Sequence, residues 1–452
     1  MFLRKKDSGL AAGKAGAAFF MDEKERREVL EEVDFTKLDT LSGPLLGMDE
    51  DTELACCPKK SLGLNDHKAV CGCAGSGKTH VHAVADLKYA LKKGESFIIN
   101  DPFGWAYKEY KELCEAEGYR TAVYNLRSLP VSDTVDFMEA MTDAEGDKDV
   151  EYMNVQAFAR AVIENTRSTS MGEYDLFWRD NRKALLAAAI YYVMYDEAKS
   201  GMGTLSNVWD ILRSYGEKRE YWDKVFGNLE DGHPAKAMHK VWMHTEEAVK
   251  TEAYKALIEC LSPLMLSDAA RITDNYGINL TLPAKEKCAY FVIPPETKKG
   301  LNALSAAFFT MAILREKRYL VTLPEGEKAV PVRFILDDIE AAGYIPVLET
   351  ALKWTDGKMK VTATFCNYGS FMDLYTEAEA DSLLEYFDTH IYLGHWEGET
   401  TRRFFERKLG TSAKSSETEE KAARDELFGI GKEEEVVLLK GKRPLKLEKQ
   451  FM

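Results

Sequence analysis

His67-Lys68-Ala69-Val70-Cys71, then Gly72-Cys73-Ala74-Gly75-Ser76-Gly77-Lys78-Thr79, then apolar residues at Val81, Val84, Leu87 and Leu91: this order decides the fold. The first five residues read as a short buried strand. The next eight match G-x-x-x-x-G-K-[ST], a phosphate-binding loop. Its glycines let successive backbone N–H groups turn inward around phosphate oxygens. Lys78 is expected to reach the β- and γ-phosphates, and the Thr79 hydroxyl to ligate Mg²⁺. The four apolar residues after the loop recur at helical spacing. A strand, a glycine loop and a helix N-terminus in this order suit a bound triphosphate, because the helix presents free N–H groups and the positive end of its dipole. The nucleotide-binding residues read from the motif are Gly72, Gly75, Ser76, Gly77, Lys78 and Thr79.

The chain has 452 residues, room for about three domains. Hydrophobic residues make up 45%, enough for a large core and too many for a disordered chain. The net charge of −15 argues against broad, non-specific coating of nucleic acid. It leaves room for DNA in a channel lined by a few basic loops. Eight cysteines form no C-x-x-C pair, and four fall in apolar strand or helix patterns, which points to free thiols in a reducing cytosol. The eight histidines show no metal-ligand spacing. His80 and His82 face different sides of a helix and read as ordinary helix residues. The longest apolar run, residues 184–195, is too short to cross a membrane. The residues after Met1 carry no signal-peptide core. A cytoplasmic location is expected.

Outward from the loop, the pattern alternates. Residues 96–101 and 121–126 read as strands and 107–117 as a helix, which implies a parallel sheet flanked by helices. From about 150 to 275 the strand pattern stops, and six segments (152–164, 177–197, 205–215, 221–228, 235–244 and 248–265) read as helices. Strand patterns return at 288–293, 332–337, 360–365 and 389–393, followed by a hairpin over 434–449. Residues 22–33 read as one charged helix, and 411–426 as a solvated polar segment. The resulting division is an N-terminal arm (1–45), an α/β nucleotide-binding domain (46–150 and 276–452) and an inserted all-α domain (151–275).

The strand at 332–337 ends in Asp337-Asp338. A phosphate-loop ATPase needs such a pair at a strand end. Asp337 is expected to hold Mg²⁺, and Asp338 to orient and polarise the attacking water.

These residues together resemble the TraG/TraD-type coupling proteins of type IV secretion and conjugation, over most of the chain. Besides the loop, the resemblance is carried by Asp101-Pro102-Phe103-Gly104-Trp105, by Phe177-Trp178 through Leu185-Leu186, by 289–295, by Ile345-Pro346 and by 440–447. It implies a RecA-like fold with an inserted all-α domain, ATP and Mg²⁺ as cofactors, and a hexamer at the cytoplasmic face of the membrane. It also implies DNA, an attached relaxase and secretion-channel components as partners. Family members usually begin with transmembrane helices, and this chain begins about where those would end.

The resemblance also exposes four departures. One is the absence of those helices from the sequence read here. The family's Asp-Glu pair is Asp337-Asp338, one methylene shorter at the second carboxylate, with Glu340 nearby. An arginine-rich stretch aligns with Thr355-Asp356-Gly357-Lys358. A glutamine aligns with Cys366, beside Asn367. The binding half of the site is therefore complete and the hydrolytic half is altered, so slow turnover is expected, with Lys78 and Asp338 as the catalytic candidates. A DNA translocase outside secretion and a nucleotide-binding adaptor without turnover remain as alternatives.

Overall fold

The computed structural model describes residues 20–166, 174–197, 203–296, 300–354, 356–394, 398–409 and 429–449. Among them are twelve strands: β1 Leu30–Val33, β2 Gly47–Met48, β3 Ala55–Pro58, β4 Lys68–Cys71, β5 Ser96–Asn100, β6 Arg120–Asn125, β7 Cys288–Ile293, β8 Val332–Leu336, β9 Met359–Phe365, β10 Thr389–Tyr392, β11 Glu434–Leu439 and β12 Leu445–Glu448. The chain forms two compact units. One is built from 1–89, 364–372 and 387–452, the other from 90–363 and 373–386.

In the first unit the strands lie in the order β1-β3-β2-β12-β11-β10-β4. β4 and β10 are parallel, and the remaining pairs are antiparallel. Val70, Ile391, Leu393, Val437 and Leu445 pack into one apolar cluster with Leu30 and Leu46. The sequence reading of 22–33 as one helix is corrected here. The helix spans Glu23–Val29, capped by Asp22 and Glu25 in a reciprocal box. Leu30–Val33 instead pairs antiparallel with β3, Val33 opposite Ala55. Two helical turns hold little intrinsic stability. The unpaired edge of the apolar Ala55–Pro58 strand decides the conformation of its neighbour.

In the second unit the order is β9-β8-β5-β7-β6, all parallel. β5, β7 and β8 are buried along their whole length, which explains their nearly unbroken apolar runs. Between β6 and β7 the described residues contain helices and no strand. The longer ones are Lys148–Asn165, Tyr174–Tyr192, Leu205–Tyr215, Pro234–Met243 and Glu247–Leu261. A polar chain ties Leu205–Tyr215 and Pro234–Met243 to the shorter helix Arg219–Gly227. Trp242 Nε1 donates to Tyr215 Oη at 2.8 Å, and Tyr215 Oη donates to Asp223 Oδ1 at 2.7 Å. His239 Nε2 lies 2.8 Å from the same carboxylate oxygen. Residues 411–426 lie outside the described residues.

In an open parallel sheet, loops that follow the carboxyl ends of strands form the ligand-binding rim. Gly72 follows β4, Asp101 follows β5 and Asp337 follows β8, so each sequence-derived motif occupies such a position in its own unit.

Candidate nucleotide-binding site

The phosphate loop leaves β4 through Gly72, whose N–H donates to Phe365 O at 3.1 Å. A Cβ at Gly72 would stand 2.4 Å from Ser76 Oγ and 2.9 Å from Leu393 Cβ, so only glycine fits. Gly77 has φ +100°, which starts the helix from a left-handed residue. Lys78 is 7% exposed, and its Nζ donates to Gly72 O at 2.7 Å and Cys73 O at 3.3 Å. The ammonium is thereby held over the loop. The buried Ser76 hydroxyl has no protein partner. The first helical turn is wide: Val84 N–H donates to Thr79 O, an i→i+5 bond. Such π turns are frequent at functional sites.

One turn beyond Thr79 the helix enters a buried polar network that the sequence did not announce. Lys68 of β4 donates to Asp86 Oδ1 at 3.0 Å and to Leu45 O at 3.0 Å, and its Nζ lies 3.4 Å from His82 Nδ1. His82 Nε2 lies 2.8 Å from Glu435 Oε2 of β11. Nδ1 faces an ammonium donor, so the imidazole carries its proton on Nε2 and donates to Glu435. His82, which reads in the sequence as an ordinary helix residue, is the link between the loop helix and the C-terminal hairpin.

Burial pushes the Glu435 carboxyl up to about 8, against the pull of Lys68 and Lys449. Burial, with the charges of Lys68 and Lys449, pushes His82 well below its ordinary 6.5. The two titrations have opposite signs. Glu435 binds a proton more tightly folded than unfolded, so it lowers stability as pH rises from about 4.5 to about 8. His82 does the reverse, lowering stability as pH falls below 6.5. Between about 6.5 and 8, Glu435 is the group of this pair that changes stability. The unfolding free energy should fall by about 2 kcal/mol across that interval. Glu435→Gln should flatten the slope, as read from urea midpoints at matched pH values.

In the second unit, Asp337 is buried and Asp338 is half-buried. Asp338 has φ +45° and ψ +69°. Among the described residues only it and Glu53 are non-glycine residues with positive φ. A left-handed aspartate costs about 1–2 kcal/mol, and such strain persists where surrounding groups hold it. The fully buried Asn100, which ends β5 opposite Leu336, donates from Nδ2 to Asp337 O at 2.6 Å and lies 3.5 Å from Asp338 O. Asp101 accepts from the Tyr107 N–H at 2.9 Å, and burial raises its carboxyl pKa against several such backbone bonds. Phe103 is 70% exposed. Glu340 lies on the short helix Ile339–Ala342.

The residues aligned with the family's arginine and glutamine have local work. Lys358 Nζ donates to Ala329 O at 3.2 Å. Asn367 Oδ1 accepts from the Ser370 N–H at 2.9 Å. Cys366 is half-buried. Thr355 lies outside the described residues. Several basic residues are likewise engaged within the chain: Arg318 with Asp143, Lys440 with Asp388, Arg443 with Glu25, and Lys446 with Glu434. Lys298 and Lys299, and the side chains of Arg407 and Lys408, lie outside the described residues. No group of three or more His, Cys, Asp or Glu residues that could hold a metal ion occurs among the described residues. Mg²⁺ beside nucleotide needs none, because phosphate and water complete its octahedron around one or two protein oxygens. No described helix is long and apolar enough to cross a membrane.

The sequence profile for type IV secretory system conjugative DNA transfer matches residues 27–452. The chain belongs to the type IV conjugative DNA transfer family. Membership agrees with the resemblance carried by the motifs. Solved structures of the plasmid coupling protein TrwB share its fold. The ADPNP complex has a TM-score of 0.64 at 16% identity, covering 97% of each chain. The complex with ADP and Mg²⁺ has 0.62 at 14%, covering 96% of this chain and 95% of that one. VirB4 of Thermoanaerobacter pseudethanolicus has 0.56 at 13%, covering 90% and 96%. The RecA-like α/β architecture with its helical insertion is thus the fold of this family member. Comparison with curated protein sequences gave no match.

Proposed function

We propose that this member of the conjugative DNA transfer family binds ATP and Mg²⁺ and couples DNA, with an attached relaxase, to a type IV secretion channel. The observation that carries the reading is the loop at Gly72–Thr79, with Lys78 held on the loop carbonyls in a chain of this family. Gly72, Gly75, Ser76, Gly77, Lys78 and Thr79 hold the nucleotide. Thr79 and Asp337 supply oxygen to Mg²⁺, which neutralises phosphate charge when bound. Asp338 orients water, and Lys78 stabilises charge on the transferred phosphoryl group. The helical block at 151–275 is the substrate-facing domain. Assembly is hexameric, at the cytoplasmic face of the membrane.

Turnover is slow in this reading. Asp338 is a methylene short of glutamate, and a misplacement of about 1 Å can lower a rate by roughly 10²-fold. The bonds of Lys358 to Ala329 O and of Asn367 to Ser370 N also support an adaptor that binds nucleotide without hydrolysing it. Steady-state ATPase assays with and without single-stranded DNA separate the two. The coupling reading expects measurable DNA-dependent turnover, well below the ~10 s⁻¹ of a median enzyme. Turnover at or above that rate overturns slow hydrolysis. Nucleotide binding with no turnover selects the adaptor, and no binding of Mg-ATP overturns the proposal.

A further inference from the structure

The acidic pair is expected from sequence, but nothing in the sequence says what aims it. β8 ends at Leu336, and in the turn that follows the Asp338 carbonyl accepts from the Ala341 N–H at 2.7 Å. Asn100, on the neighbouring strand β5, reaches across to both, 2.6 Å and 3.5 Å from Nδ2. Two carbonyls face that end of the amide, so the nitrogen must be the atom there. Asn100 is fully buried, and its other end, Oδ1, has no protein partner. The backbone it grips is the left-handed turn at Asp338, φ +45°. A left-handed residue that is not glycine persists where surrounding groups hold it; here the Ala341 N–H holds the Asp338 carbonyl and Asn100 holds the Asp337 carbonyl.

We infer that Asn100 is the positioning residue of the acidic pair: its amide fixes the Asp337–Asp338 turn in the left-handed form that presents Asp337 to Mg²⁺. The inference rests on the nucleotide reading above and names a residue that the motif does not contain. A bland alternative exists, in which Asn100 only stabilises the end of β8.

The two roles differ in how nucleotide affinity depends on Mg²⁺. The phosphate loop sets the affinity for nucleotide in EDTA. The acidic turn sets the Mg²⁺ concentration at which that affinity tightens. Full-length protein would be titrated with a fluorescent ADP analogue, in EDTA and over a range of MgCl₂. Asn100→Leu removes the amide at similar volume. It should raise the half-saturating Mg²⁺ about 10-fold, the loss typical when a group supporting a metal ligand is removed. Affinity in EDTA should stay within about twofold. Asn100→Ser, whose hydroxyl is a smaller donor, gives the same comparison if the leucine variant folds poorly. An unchanged Mg²⁺ requirement in a folded variant overturns the inference and leaves the nucleotide site standing. Equal losses with and without Mg²⁺ also overturn it, in favour of the purely structural role. A wild-type protein that binds nucleotide with no Mg²⁺ dependence overturns both this inference and the Mg²⁺ role of Asp337.

Discussion

Lys78→Ala should weaken Mg-ATP binding by roughly 10²–10⁴-fold while leaving the fold in place. Lys78 Nζ is held over the loop by the Gly72 and Cys73 carbonyls, inside a nearly closed turn. In the proposed complex it exchanges these neutral partners for phosphate oxygens. Hydrogen bonds to charged groups contribute about 1.5–3 kcal/mol each. Losing two of them weakens binding by roughly 10²–10⁴-fold. The variant loses the two bonds to the Gly72 and Cys73 carbonyls but keeps β4 and the glycine turn, so it should remain folded. Lys78→Arg is not a conservative control, since the planar fork does not replace a compact ammonium point charge. Isothermal titration with ATP and MgCl₂ reads the effect directly. An affinity within a few-fold of wild type would contradict the assignment of Gly72–Thr79 as the nucleotide site.

Asp86→Ala should be among the most damaging single substitutions in the first unit. Lys68 and Asp86 are both fully buried, 3.0 Å apart, and the lysine also donates to Leu45 O. Removing the carboxylate takes the opposite charge away from a buried ammonium. Breaking a buried pair this way typically costs about 3–5 kcal/mol. That is a large part of the roughly 5–15 kcal/mol that holds a typical domain folded. The double substitution Lys68→Met with Asp86→Leu removes both charges at similar volume and should recover most of the loss. Urea denaturation of the single and double variants tests this. The pair is a weak stabiliser if Asp86→Ala shifts the midpoint no more than the double variant does. Because Asp86 sits on the helix that begins with Lys78 and Thr79, nucleotide should protect the wild-type unit more than the damaged one.

How much of this was legible depends on the distance over which each residue is specified. The loop could be read because eight consecutive residues carry its chemistry, and Asp337-Asp338 because an apolar strand runs straight into two carboxylates. β5, β7 and β8 were plain for the same local reason: burial on both faces writes a nearly unbroken apolar run. β1 was misread because the choice between a third helical turn and a strand is made by Ala55–Pro58, not by residues 30–33. The network under the loop helix was invisible for a stronger version of that reason. His82 and Glu435 stand 353 positions apart. A lysine in the strand 68–71 was the one local hint, since an ammonium in a buried strand demands a partner. Asn100 gave no signal at all. Its importance comes from the left-handed conformation of Asp338, and the sequence carries no mark of a φ angle at a non-glycine residue.

The strand order of the first unit carries a consequence for biosynthesis. β4 delivers the phosphate loop, yet its parallel neighbour β10 begins at Thr389, and the hairpin that buries Glu435 against His82 comes later still. On a ribosome adding about 5–20 residues per second, the loop strand waits on the order of tens of seconds for that neighbour. During that interval Val70 and Cys71 lack the β10 side of their packing, and Lys68 and His82 lack Glu435. The nucleotide loop is among the first motifs to leave the ribosome and among the last to be completed.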